Sequence, residues 1–114
     1  MQIQARYEAH LVLATIEGRF DAHGIEHFTA QVIEHVDADS ENVIVDLSSV
    51  EFMDSSALAG LVKVLKRTME HDGSIVLVDP SPAARIILEL TRLDEVFPIA
   101  PSLEDARRTL LRAA

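Results

Sequence analysis

The sequence has 114 residues, 48% of them hydrophobic, and a formal net charge of −9 from 19 acidic and ten basic residues. That length implies one domain, residues 1–114, with a core that needs no staples. The negative field disfavours nucleic acid and anionic membrane surfaces, and the lack of cysteine excludes a disulfide framework and thiolate chemistry. Aromatic residues are only 4%, so the core is expected to be aliphatic. The apolar runs fall short of the roughly 18 residues of a membrane span, and Met1-Gln2-Ile3-Gln4 lacks a signal-peptide pattern. A cytoplasmic protein is expected.

In chain order, the β-rich content of Ile3–Glu8 and Leu11–Glu17 predicts two strands joined by a hairpin across Ala9-His10. Gly18-Arg19-Phe20 leads to Asp21, a candidate N-cap for a helix carrying Ile25, Phe28, Val32 and Val36 at helical spacing. The acidic segment Asp37–Glu41 ends that helix. Val43-Ile44-Val45 reads as a buried strand, with Ser48-Ser49 in a short connection after it. Leu58, Leu61, Val62, Leu65 and Met69 then share one face of a helix from Ser55 to about His71, capped by Asp54 or Ser55. Asp72-Gly73 makes a turn, Ile75–Val78 a second buried strand, and Ser81-Pro82 an N-cap followed by proline at the first helical position. The helix it opens places Ala83, Ile86, Ile87 and Leu90 on one face. Pro98–Ala100 reads as a short edge strand, and Ser102 with Asp105 as a capping box for a last helix. Strands alternating with one-striped helices after an opening hairpin describe an α/β fold. Its mixed sheet has four to five strands, parallel where a helix crosses over, with about four helices packed on it.

The chemical templates are mostly empty. The chain has neither a Gly-x4-Gly-Lys phosphate loop nor a Gly-x-Gly-x-x-Gly, and its serines lie outside any Gly-x-Ser-x-Gly elbow. His23 and His27 stand four apart, a spacing that could hold one metal ion, but a third ligand is not evident and a solvated helix face explains them. No cofactor, metal site or catalytic group is therefore assigned, and the chain is not expected to be an enzyme. Asp54-Ser55-Ser56 remains, a polar triplet at a helix start just outside a buried strand. Capping alone would explain it. On a helical projection Ser56, Ala59, Gly60 and Lys63 fall opposite the apolar stripe, an arc small enough for another protein to lie against, or simply an alanine-rich solvated face.

Asp46-Leu47-Ser48-Ser49-Val50-Glu51-Phe52-Met53-Asp54-Ser55-Ser56-Ala57-Leu58 resembles the signature of the STAS domain, specifically the bacterial anti-sigma factor antagonists. Gly18-Arg19-Phe20-Asp21-Ala22, Leu90–Phe97 and Pro101–Ala106 are similar to three further segments of that family, in the same order. The resemblance implies a partner switch. In that family the serine after the aspartate, here Ser55, is phosphorylated by an anti-sigma factor serine kinase of the histidine-kinase-like ATPase type. The unphosphorylated form binds the kinase, and a PP2C-type phosphatase restores it. The resemblance implies a docking surface at Asp54, Ser55, Ser56 and the helix that begins there; with Ala59, Gly60 and Lys63 of the projected arc, these are the expected partner-binding residues. Where the family usually has glycine, this chain has Ala57 and Ala59, which would place a methyl where the kinase backbone approaches. The other role the resemblance allows is an accessory subunit of a transporter or lipid-trafficking ATPase complex, docking without phosphorylation. With no obvious exposed apolar stripe, a monomer is expected.

Overall fold

The structure, a computed structural model, describes residues 1–113. The expected hairpin is present: β1 (Gln2–Glu8) pairs antiparallel with β2 (Leu11–Phe20), and His10 turns the corner at φ 65°. From there strands and helices alternate through α1 (Ile25–Gln31), β3 (Asn42–Met53), α2 (Ser55–Glu70), β4 (Ile75–Val78), α3 (Pro82–Leu90), β5 (Ile99–Ala100) and α4 (Leu103–Ala113). The five strands lie in sequence order, β1 to β5, and every pair after the first is parallel. Sequence order is what helical crossovers between parallel neighbours produce. β5 is an edge strand, consistent with Pro98, whose carbonyl accepts from the Leu77 amide at 2.9 Å.

Each face of the sheet has its own apolar cluster. The larger joins Val12, Val43, Val45, Ile75 and Leu77 of the strands to Phe28 of α1, Leu61 and Val64 of α2 and Leu88 of α3. The smaller sets Leu11, Leu13, Ile44, Val76, Val78 and Ala100 against Ala106 of α4. Strand side chains alternate between faces, so Ile75 and Leu77 serve one cluster and Val76 and Val78 the other. This double coverage is why β4 is an unbroken apolar run, buried at all four positions.

The structure corrects several sequence-based expectations. Asp21 does not cap α1; Gly24 is the cap, and the helix ends at Gln31, with Ile33–His35 continuing as a single tighter 3₁₀ turn. Val32 and Val36 are nonetheless buried, because the turn keeps them over the sheet. Ser48-Ser49 is no connection: β3 runs on to Met53, and two register shifts against β2 each insert one extra residue into it. Such bulges break the two-residue period, which hides the strand from a periodicity reading. The buried arc of α2 is Ala57, Leu58, Gly60, Leu61, Val64 and Thr68, whereas Met69 is 65% exposed. On α3, Ala84 and Leu88 are buried, but Ile86 and Leu90 are 59% and 80% exposed. An exposed apolar pair on α3 therefore exists, against the reasoning that favoured a monomer.

The N-caps of α2, α3 and α4 come from side chains: Asp54 to the Ala57 amide, Ser81 to Ala84, and Ser102 to Asp105. α4 is held to the far edge of the sheet by Arg107, whose two Nη atoms donate to the Glu8 carboxylate at 3.0 and 2.9 Å. That bidentate bond holds the Glu8 carboxyl below its ordinary value of 4.5. A carboxyl depressed in the folded state stabilises above its ordinary value and loses that contribution as pH falls through the folded one. Urea unfolding of Glu8→Gln should therefore show a stability deficit at pH 7 that shrinks as pH drops through and below about 4.5. An unchanging deficit would mean the pair contributes no charge-dependent stability. At the turn before β4, Gly73 lies so close to the Glu41 carbonyl that a Cβ would overlap it. Gly73→Ala should lower unfolding free energy by about 1–3 kcal/mol, as overpacking against rigid backbone does, read from the urea midpoint at constant slope.

Candidate functional site

Met53, buried in the core, is the last residue of β3, and the chain passes through Asp54 in extended conformation (φ −123°, ψ −175°) into the first turn of α2. The Asp54 carboxylate is divided. Oδ1 accepts from the Ala57 amide at 3.1 Å, capping the helix, and Oδ2 accepts from the Ala22 amide at 3.3 Å in the loop between β2 and α1. Capping thus falls to Asp54, and Ser55, the first helical residue, stands exposed with its hydroxyl released from that duty. An N-terminal turn presents unpaired amides and the positive end of the helix dipole, and α2 has no acidic residue in its first turn. The dipole favours a negative group at this end of α2, whereas the neighbouring Asp54 carboxylate opposes it.

Ser55, Ala59 and Lys63, four residues apart, form one exposed line along α2, with Ser56 half-buried beside it. Gly60 does not belong to that line. It is buried against α1, where a Cβ would stand 2.5 Å from Ile25 Cδ1. Ala57 is also fully buried, so its methyl packs in the core and is not offered to a docking protein. The smallness of these two positions lets α2 settle close to α1 and the sheet, which a projection of one isolated helix cannot show.

A second component escaped the sequence reading. Arg19 and Phe52 are register partners at the ends of β2 and β3, and the guanidinium lies 4.1 Å from the ring centroid. Arg19 Nε also donates to Asp21 Oδ2 at 3.3 Å, and Asp21 Oδ1 accepts from the His23 amide at 3.1 Å. Burial pushes the Asp21 carboxyl up, but the His23 amide and the Arg19 guanidinium outweigh it and hold it below its ordinary value of 3.8. The available signal was positional: Arg19 and Phe52 each stand two residues before an aspartate of the site. His23 lies in the turn before α1, so its spacing to His27 is not a helical one; its ring faces Asp21 at 3.8 Å. Among the described residues no group of three His, Asp or Glu side chains could hold a metal ion, and no helix is long and apolar enough to cross a membrane.

The STAS domain family model matches residues 2–106. The chain belongs to the STAS domain family. It is 26% identical over 96 residues to BtrV of Bordetella bronchiseptica, a candidate anti-sigma factor antagonist, covering 84% of this chain and 83% of that protein. The crystal structure of a candidate anti-sigma factor antagonist from Thermotoga maritima superposes with a TM-score of 0.85 at 22% identity, covering 95% and 93% of the two chains. The Bacillus cell fate determinant SpoIIAA in its phosphorylated form superposes with a TM-score of 0.76 at 21% identity, covering 95% and 99%. These structures share the five-stranded STAS architecture with this chain.

If Asp54 is the cap that holds this STAS site together, Asp54→Ala should cost about 1 kcal/mol of stability, within the usual range for a lost N-cap. Asp54→Asn should recover most of that, since asparagine caps equally well. Thermal or urea unfolding of the two variants reads the difference. Equal losses in both would assign the effect to charge and not to capping.

Proposed function

We propose that this STAS domain is an anti-sigma factor antagonist in a partner-switching cascade, regulated by phosphorylation of Ser55. The observation that supports it is the division of labour at the start of α2: Asp54 caps, and the exposed Ser55 hydroxyl is left to react. Unphosphorylated, the chain binds an anti-sigma factor serine kinase of the histidine-kinase-like ATPase type through Ser55, Ser56, Ala59 and Lys63, with Asp54 setting the turn. In the kinase complex, Ser55 Oγ attacks the γ-phosphorus of ATP. The new O–P bond forms as the bond to ADP breaks, and the hydroxyl proton passes to a base on the kinase. A PP2C-type phosphatase hydrolyses the ester and resets the switch. The chain is thus a substrate and binding module, not an enzyme. The relatives described as antagonists favour this over an accessory subunit of a transporter, which would dock without phosphorylation.

The electrostatics support release on modification. A phosphoserine brings about −1.5 to −2 charges to a chain already at −9, beside the Asp54 carboxylate. The helix N-terminus accommodates that charge in the free protein, but a closely packed interface must desolvate it, at a cost of several kcal/mol where it is uncompensated. Each 1.4 kcal/mol is about tenfold in affinity, so binding falls sharply while the fold persists.

Incubation with the cognate kinase and ATP should place one phosphate on Ser55 in the wild type and none in Ser55→Ala, as mapped by mass spectrometry. Ser55→Ala should still bind the kinase. Ser55→Asp should bind at least about tenfold more weakly, with an unfolding midpoint close to wild type. Phosphate on Ser56 instead, or wild-type affinity in Ser55→Asp, would overturn the assignment.

A further inference from the structure

The two faces of the sheet are covered unequally. Three helices pack on one, and α4 alone crosses the other. It starts with Leu103 beside Val78, at the C-terminal end of β4, and reaches Glu8 of β1 through Arg107. Eleven residues of helix span about 16 Å, so one corner of this face, over β1, β2 and β3, is left open. The register places Gln4, Thr15 and Asp46 in one row across that corner, continuing to Val78. These three polar residues stand where the covered half of the face carries Ile44, Val76 and Ala100.

The row lines a cleft of about 160 Å³, with Leu13 and Val78 contributing apolar surface, Leu103 of α4 on one side and Arg6 from the edge strand on the other. Asp46 is half-buried and held in place: its Oδ1 accepts from the Ser48 amide at 2.9 Å and the Ser48 hydroxyl at 2.7 Å. Among the described residues Oδ2 has no such partner, and Asp46 and Arg6 form no ion pair with each other although both line the cleft. Arg6 also acts on Glu8 through its charge, but the Glu8 carboxylate is already taken by Arg107. A carboxylate and a guanidinium that share a small cleft without meeting are matched by a ligand bearing both opposite charges. The volume lies below the roughly 300–1,000 Å³ of drug-sized sites, which excludes nucleotides and long acyl chains. A single carboxylate with one amide and one hydroxyl is too few oxygens for calcium.

We infer that this open corner binds a small zwitterion, an α-amino acid with a short side chain. Its carboxylate meets Arg6 in a charge-assisted, bidentate pairing, its ammonium meets Asp46 and Thr15, and its side chain lies against Val78 and Leu103. The site is separate from Ser55, and its occupancy does not depend on the reading of that serine.

The test uses the full unphosphorylated chain, titrated with glycine, L-alanine and L-serine and followed by backbone amide NMR shifts. Acetate and methylammonium serve as single-charge controls. At least one amino acid should give saturable shifts at Thr15, Asp46 and Leu103, and neither control should. Arg6→Ala and Asp46→Asn should each weaken binding by at least about tenfold. Should Asp46→Asn disturb the strand, Arg6→Ala, at an exposed position of an edge strand, decides alone. Absence of saturation with all three amino acids would overturn the inference. So would unchanged affinity in Arg6→Ala, or acetate binding as tightly as the amino acids.

Discussion

The two oxygens of Asp54 tie the start of α2 to the loop between β2 and α1. One satisfies an orphan amide of α2, and the other reaches across 32 residues of sequence to the amide of Ala22. The first bond starts the helix where it does, and the second ties that start to the loop leaving β2. Because the carboxylate does this work, the next residue is relieved of it. The exposure of Ser55, the residue proposed for modification, follows from what its neighbour already does. Asp54 itself is placed by Met53, which is anchored in the core at the end of a twelve-residue strand.

Small residues serve the same construction from the other side. Gly60 and Ala57 bring α2 down onto α1 and the sheet, so the line Ser55, Ala59, Lys63 is turned outward by close packing beneath it. Chains of this family that carry glycine where this one has Ala57 would lose a buried methyl and gain backbone freedom at the first turn. The consequence of Ala57 in this chain therefore lies in the stiffness of the turn. Ala59, by contrast, is exposed and presents its methyl to solvent.

Much of this was legible in the residues because local rules and global fold agree. Ser81-Pro82, Ser102-Asp105 and the apolar run Ile75–Val78 each point to one local structure, and each forms it. The triplet Asp54-Ser55-Ser56 could be located, but not which residue capped, since both aspartate and serine are competent caps. What resisted reading depended on contacts distant in sequence. The bulges in β3 make sense only against β2; the burial of Gly60 requires Ile25; the Arg19–Phe52 stack requires the register of two strands 33 residues apart. On α2 and α3 the apolar residues form wider arcs than one stripe, and tertiary packing chose a neighbouring part of each. Met69, Ile86 and Leu90 were left in solvent as a result.

The chain's charge and the helix dipole act in opposite directions on a modified Ser55, and the partner-switch reading requires that the fold feel mainly the second and the interface mainly the first. Calorimetric titration of the cognate kinase with fully Ser55-phosphorylated and with phosphatase-treated protein measures this directly, with circular dichroism recorded on both forms. Matching spectra with loss of measurable binding on phosphorylation alone is the predicted result. Equal affinity of the two forms, or a phosphorylated form that has lost its secondary structure, would contradict it.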